Sequence, residues 1–237
     1  MKDNYDIRYR GWKRVKGNFK TSFLLTLFIF LFTYIIFGSN GLHNGGIMVD
    51  VFSNQGIRTL VSTGIFSGLM KEVIVGVFGL GTVWGFINWS REQATPTTPV
   101  KDSLRFWYGD TVVDTIVLLG MRYLFTILWS LLFLIPGVIK SISYSQATYI
   151  YADDVKNGVK ITSMNEYITR SRELMRGHKM QYFTLNLSFI GWWLLIVLTF
   201  GLAAIWVYPY YSATMAEFYM ELRRESLYGG RSRGRRG

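Results

Sequence analysis

Lysine and arginine are not scattered along this chain of 237 residues. Twenty-two of the 26 fall in four stretches, Met1–Lys20, Arg91–Asp110, Asp153–Lys179 and Arg223–Gly237, which carry 7, 3, 6 and 6 cations. Only Arg58, Lys71, Arg122 and Lys140 lie elsewhere, and long apolar runs separate the four stretches. A chain that crosses a bilayer several times and keeps its basic loops on the cytoplasmic side has this pattern. The charge distribution therefore predicts an all-α, polytopic membrane helix bundle with both termini cytoplasmic.

Composition agrees. Charged residues make up 17% of the chain, against about a quarter in soluble domains. Aromatic residues also reach 17%, and many Trp and Tyr stand near the ends of apolar runs, where interfacial belts favour them. The net charge of +11 is explained by the positive-inside pattern, and no nucleic-acid-binding motif competes with it. There is no Cys, and the histidines are His43 and His178, so disulfides, thiolate metal sites and a histidine-rich centre are excluded and no cofactor is expected.

Along the chain, residues 8–20 read as a basic amphipathic helix. Its cations (Arg8, Arg10, Lys13, Arg14, Lys16 and Lys20) would face anionic lipid, while Ile7, Trp12, Val15 and Phe19 dip inward. Phe19–Phe37 is the first expected span, read as a retained anchor rather than a cleaved leader. Gly38–Met70 reads as an external loop with an interfacial helix at Ile57–Met70. Lys71–Trp89 is the second span, and its Gly81/Gly85 pair has the spacing that lets backbones approach closely, more naturally within one chain than between two. The third span runs from about Val112 to Ile135 and carries Asp114 and Arg122, each of which needs a partner or access to the surface. Pro136-Gly137 predicts a tight outer reversal into a short, semi-polar fourth span, Val138–Ala152, with Ser141, Ser145 and Thr148 on one buried face. Asp153–Lys179 reads as a turn followed by a helix from Ser163 to about Arg176. Met164, Ile168, Leu174 and Met175 of that helix would touch the membrane. Gln181–Thr199 is the fifth span, Phe200-Gly201 a second outer reversal, and Leu202–Leu222 the sixth span, kinked near Pro209. Residues 1–222 thus form one integral membrane domain, and 223–237 a disordered basic cytoplasmic tail.

The second half carries a recognisable series of blocks: Leu128-Trp129-Ser130-Leu131-Leu132, Ile135-Pro136-Gly137-Val138-Ile139-Lys140, and Tyr144 through Tyr149. Ser171 through Lys179, Leu187 through Trp192, Tyr208-Pro209-Tyr210 and Ala216-Glu217-Phe218-Tyr219 follow. In order and spacing this resembles the bacterial integral membrane family called domain of unknown function 975. The arrangement is also similar to the membrane domain fused to some glycerophosphodiester phosphodiesterases, without the soluble barrel that supplies catalysis there. The resemblance implies a helical fold in a bacterial cell membrane. It implies no activity and no catalytic residues.

An intramembrane protease needs a Ser/His pair, a Glu/His set or two aspartates at one depth, and the placement of His43, His178 and Asp114 offers none of these. The chain is therefore read as non-enzymatic, in membrane interaction or envelope homeostasis, with room for a membrane-protein partner or a second copy. The alternative is a small-solute or lipid transporter, for which Arg122, Lys140, Glu72 and Asp114 are the candidate residues. Lys71, Glu72 and Lys140 are expected near the outer surface. Arg170, Arg172, Arg176 and Lys179 are the candidate contacts to anionic lipid headgroups at the inner leaflet, beside a plainer role as cations favoured at a helix C-terminus.

Overall fold

A computed structural model of the chain describes residues 2–43, 54–132, 134–159 and 163–233, with side-chain surroundings for 2–32, 69–70, 72–129, 137–159 and 163–227. Among these residues all regular structure is helical. Helix α1 (Asn4–Gly17) is opened by Asp3, whose carboxylate accepts from the Asn4 amide at 2.7 Å. It meets α2 (Phe19–His43) at a bend of 103°. Helix α3 (Asn54–Glu92) is one unbroken helix through the expected interfacial segment and second span. Helical turns at 38–43 and 54–70 stand where the glycines suggested an external loop; residues 44–53 lie outside the described ones.

Pro99 starts the short α4 (Pro99–Leu104), and a 3-10 turn (Arg105–Trp107) leads into α5 (Thr111–Leu132). Helix α6 (Leu134–Tyr144) takes Pro136-Gly137 into its first turn rather than into the reversal. Proline is tolerated there because its missing N–H would have had no intrahelical acceptor. The expected fourth span is divided at Ser145-Gln146 into α6 and α7 (Ala147–Lys156). Ser141 is exposed whereas Thr148 is buried, so the predicted common face of these hydroxyls is not formed.

Helix α8 (Met164–Leu174) lies close to its predicted bounds, and Gly177, at φ +86°, turns the chain into α9 (Lys179–Leu187). Helix α10 (Ile190–Leu198) follows. Phe200 and Gly201, both at positive φ, then make the predicted tight reversal into α11 (Ala204–Arg233). Helix α11 runs on through 223–233, where the composition suggested a disordered tail, with Arg224 set 3.4 Å from Glu221 one turn earlier.

Small residues set the close contacts. A Cβ on Gly81 would lie 2.1 Å from the Ser103 carbonyl oxygen of α4, and one on Gly85 would meet the Leu25 side chain of α2 at 2.5 Å. The pair therefore serves packing within the chain, against two different elements. The Thr82 hydroxyl between them donates to the Leu25 carbonyl at 2.7 Å. A Cβ on Gly11 would meet the Thr214 main chain of α11 at 2.9 Å. Gly11 lies between Ile7 and Val15, both fully buried, so the apolar stripe of α1 docks on α11 instead of dipping into lipid. Helix α8 departs from expectation in the same way, with Ile168 and Met175 in the core. An amphipathic stripe serves a protein groove as well as a lipid surface.

Three helical stretches among the described residues are long and apolar enough to cross a membrane: Glu72–Glu92, Thr111–Trp129 and Lys179–Leu198. The bent pair of α1 with Phe19–Phe32 makes a fourth if it counts as one span. Six spans were expected. The shortfall falls on the divided α6–α7 and on α11, where Glu217, Glu221 and a run of cations interrupt the apolar sequence.

Candidate functional site

Four carboxylates are buried at one level of the bundle: Asp153 and Asp154 at the end of α7, and Glu217 and Glu221 one turn apart on α11. A buried carboxylate is costly unless paired and hydrogen-bonded, and each of these is. With α1 seated through Gly11, Arg10 reaches Glu217 at 3.5 Å and Glu221 at 3.0 Å, and Arg14 pairs with Glu217. The Ser90 hydroxyl donates to Glu217 at 2.8 Å, and Arg14 also donates to the Trp89 carbonyl at 2.9 Å. Asp153 pairs with Arg91 and Arg223 and accepts from the Tyr219 hydroxyl at 2.9 Å, while Asp154 pairs with Arg170. This hub ties α1, α3, α7, α8 and α11 together. Arg122, which the sequence left in need of a partner on another helix, pairs with Glu72 of α3, whereas Asp114 is exposed.

A second constellation has the opposite character. The Ser171 hydroxyl donates to the Ser143 carbonyl at 2.7 Å and accepts from the Gln146 amide at 3.2 Å. These bonds fasten α8 to the break between α6 and α7. They bring Arg172 beside Lys140, which sits over the Trp129 ring at 4.0 Å, a cation–π arrangement. A cavity of about 480 Å³ results, into which Lys140, Arg172, Arg176 and Lys179 all open. Glu173 is the one acid on its wall, and the Ser143 and Thr169 side chains complete the polar lining. None of the four cations makes an ion pair among the described residues. The turn that makes this wall ends α8 at Gly177 and starts α9 at once, and His178 supplies no side-chain cap to the new helix. On the α11 side, His178 lies 3.6 Å from Glu225.

Of the four residues that sequence reasoning selected, Arg172, Arg176 and Lys179 are thus brought together. Arg170 is not: it points to Asp154 and lines a neighbouring cavity of about 410 Å³ with Tyr219 and Arg223. Lys140 is the member that was missed. It was expected near the outer surface, with Arg172 through Lys179 on an inner loop, yet all share one cavity, so those two placements exclude each other. Only its isolation in an apolar stretch hinted at a special role, and nothing in the linear sequence points to its neighbours. The hub acids were also missed, although Glu217 and Glu221, spaced i,i+4 in an apolar run, carried the signal that partners were needed.

No curated protein and no solved structure matches the chain. The family model described as "Protein of unknown function (DUF975)" matches residues 100–226, which include α5 through most of α11, the four hub acids and the cavity cations, but not the hub partners Arg10, Arg14, Ser90 and Arg91. The chain belongs to that family.

Proposed function

We propose that this is a multi-pass protein of the bacterial cell membrane, with both termini cytoplasmic, that works without catalysis as an interaction or envelope-homeostasis component. The membrane reading is supported by the apolar side chains left on the surface of α10 and its turn into α11. Val197, Leu198, Phe200 and Leu202 are between 70% and 94% exposed, a face for which lipid is the natural solvent. The cytoplasmic placement of the termini rests on the basic stretches at both ends.

The observation that carries the non-transport reading is that the ionisable groups among the apolar helices, Asp114 and Lys140 excepted, are engaged with one another. Glu72 holds Arg122, and the hub carboxylates hold Arg10, Arg14, Arg91, Arg170 and Arg223. A small-solute or lipid transporter would require such groups to be open to a path. The cations that stay open lie at one end of the bundle, where anionic lipid of the inner leaflet is the partner that fits.

Deleting the gene is expected to raise dye entry and sensitivity to membrane-active cationic peptides, with both restored by the wild-type chain. An unchanged envelope would count against the homeostasis role. Recovery of the protein in the soluble fraction after an alkaline wash would count against the membrane assignment itself.

A further inference from the structure

We propose that the cavity walled by α6, α8 and α9 is a binding site for a phosphate-bearing ligand, seated by Lys140, Arg172, Arg176 and Lys179. The proposal deepens the anionic-lipid reading above, but the site can stand without it. Three observations converge. The first is a division of labour among the cations. The arginines of the hub are each spent on a carboxylate, whereas the four at the cavity face one space and leave its positive charge uncompensated except by Glu173. Gathering like charges is unfavourable, and an anion seated between them would relieve it.

The second is the start of α9. The amides of Lys179, Met180 and Gln181 find no acceptor among the described residues, and Gly177, Lys179 and Met180 line the cavity. Unsatisfied first-turn amides beside clustered cations suit phosphate oxygens. The third is the mix of donors. Arg172 and Arg176 offer paired N–H groups and Lys140 and Lys179 point charges, two complementary ways of holding phosphate. The Ser143 and Thr169 hydroxyls donate within their own helices, to the Ile139 carbonyl at 2.7 Å and the Asn165 carbonyl at 3.3 Å, so they and the Glu173 carboxylate act only as acceptors for hydroxyls next to that phosphate. The shared chemistry is glycerol phosphate, which occurs free and as the headgroup of phosphatidylglycerol. At about 480 Å³ the cavity is within the usual range for a small-ligand site.

Lys140 is the discriminating residue, because it comes from a different part of the chain than the basic loop. The full-length protein in neutral detergent is titrated calorimetrically with glycerol 3-phosphate, with short-chain phosphatidylglycerol, and with phosphatidylcholine of the same chain length. Phosphatidylglycerol is expected to bind well above phosphatidylcholine. Lys140→Gln should weaken the binding about tenfold, the scale of one charge-assisted hydrogen bond, and Lys140→Arg should restore most of it. The double change Lys13→Gln with Lys16→Gln removes two exposed cations elsewhere and should leave binding unchanged, with the melting temperature of every variant checked.

Binding of glycerol 3-phosphate alone supports the site while removing its lipid source. Binding of phosphatidylglycerol alone supports the site as a headgroup pocket. Equal binding of the two lipids, no binding of either anion, or the same loss in the Lys13/Lys16 control as in Lys140→Gln overturns the proposal.

Discussion

At the scale of single residues, three positions carry sharp expectations. A methyl group on Gly81 collides with main chain rather than with a side chain that could move aside. Gly81→Ala should therefore lower stability in detergent by about 1–3 kcal/mol, as overpacking does. Gly79 lies on the same helix with nothing within 4 Å of a built Cβ, so Gly79→Ala should be neutral or gain up to about 1 kcal/mol in helix propensity. Equal effects in thermal melts would remove the close approach of α3 and α4 from the account. Asp102 in α4 is a titration case. Burial pushes its carboxyl above the ordinary 3.8, against the pull of Arg105 and Lys156. Its folded-state pKa thus exceeds the unfolded one, and the folded state binds more protons between the two values. Stability from this group is gained as pH falls through that window, and its ionised form is a burden at neutral pH. Asp102→Asn should raise the melting temperature at pH 7 and lose that advantage below the ordinary carboxylate range. An advantage independent of pH would contradict the burial argument.

At the scale of elements, the docking of α1 on α11 depends on the buried pairing of Arg14 with Glu217. Glu217→Leu leaves the Arg14 guanidinium, only 11% exposed, without its partner and should cost about 3–5 kcal/mol. Adding Arg14→Met should recover part of the loss, because two apolar side chains suit that place about as well as the ion pair does, while Ser90 and Arg10 still lack the Glu217 carboxylate. A double variant as unstable as the single one would mean that the pair does more than fill the interface. The same contact shows what was legible in the sequence and what was not. The helix over 8–20 was readable from its charge and apolar periodicity, but that period is the same whether the stripe meets lipid or protein. The features that decide the matter are Gly11, the gap that admits Thr214, and two acids about two hundred residues away. The helix of α8 and its glycine stop were readable from local chemistry, as was the reversal at Phe200-Gly201. The division of α6 from α7 carried no comparable signal, since neither Ser145 nor Gln146 breaks a helix by itself.

At the scale of the whole molecule, helical class and family were legible because both rest on patterns spread over many residues: apolar length, the spacing of basic stretches, and the blocks from Leu128 onward. The candidate site was half legible. Arg172, Arg176 and Lys179 stand close together in the chain and declare themselves as a basic loop. Lys140 joins them only through tertiary structure, when the Ser171 bonds to Ser143 and Gln146 draw α8 against α6. The C-terminal half of α6, through Lys140 and Ser143, and the turn between α8 and α9 therefore belong to one face of the molecule, and the cations they gather should hold that face on the cytoplasmic side. Because the chain has no cysteine of its own, single cysteines at the exposed positions Ser141 and Met180 test this directly with a membrane-impermeant thiol reagent. Both should be protected in intact cells and both labelled in inverted vesicles. Labelling of Ser141→Cys from outside, with Met180→Cys still protected, would contradict the shared face and the cavity built on it.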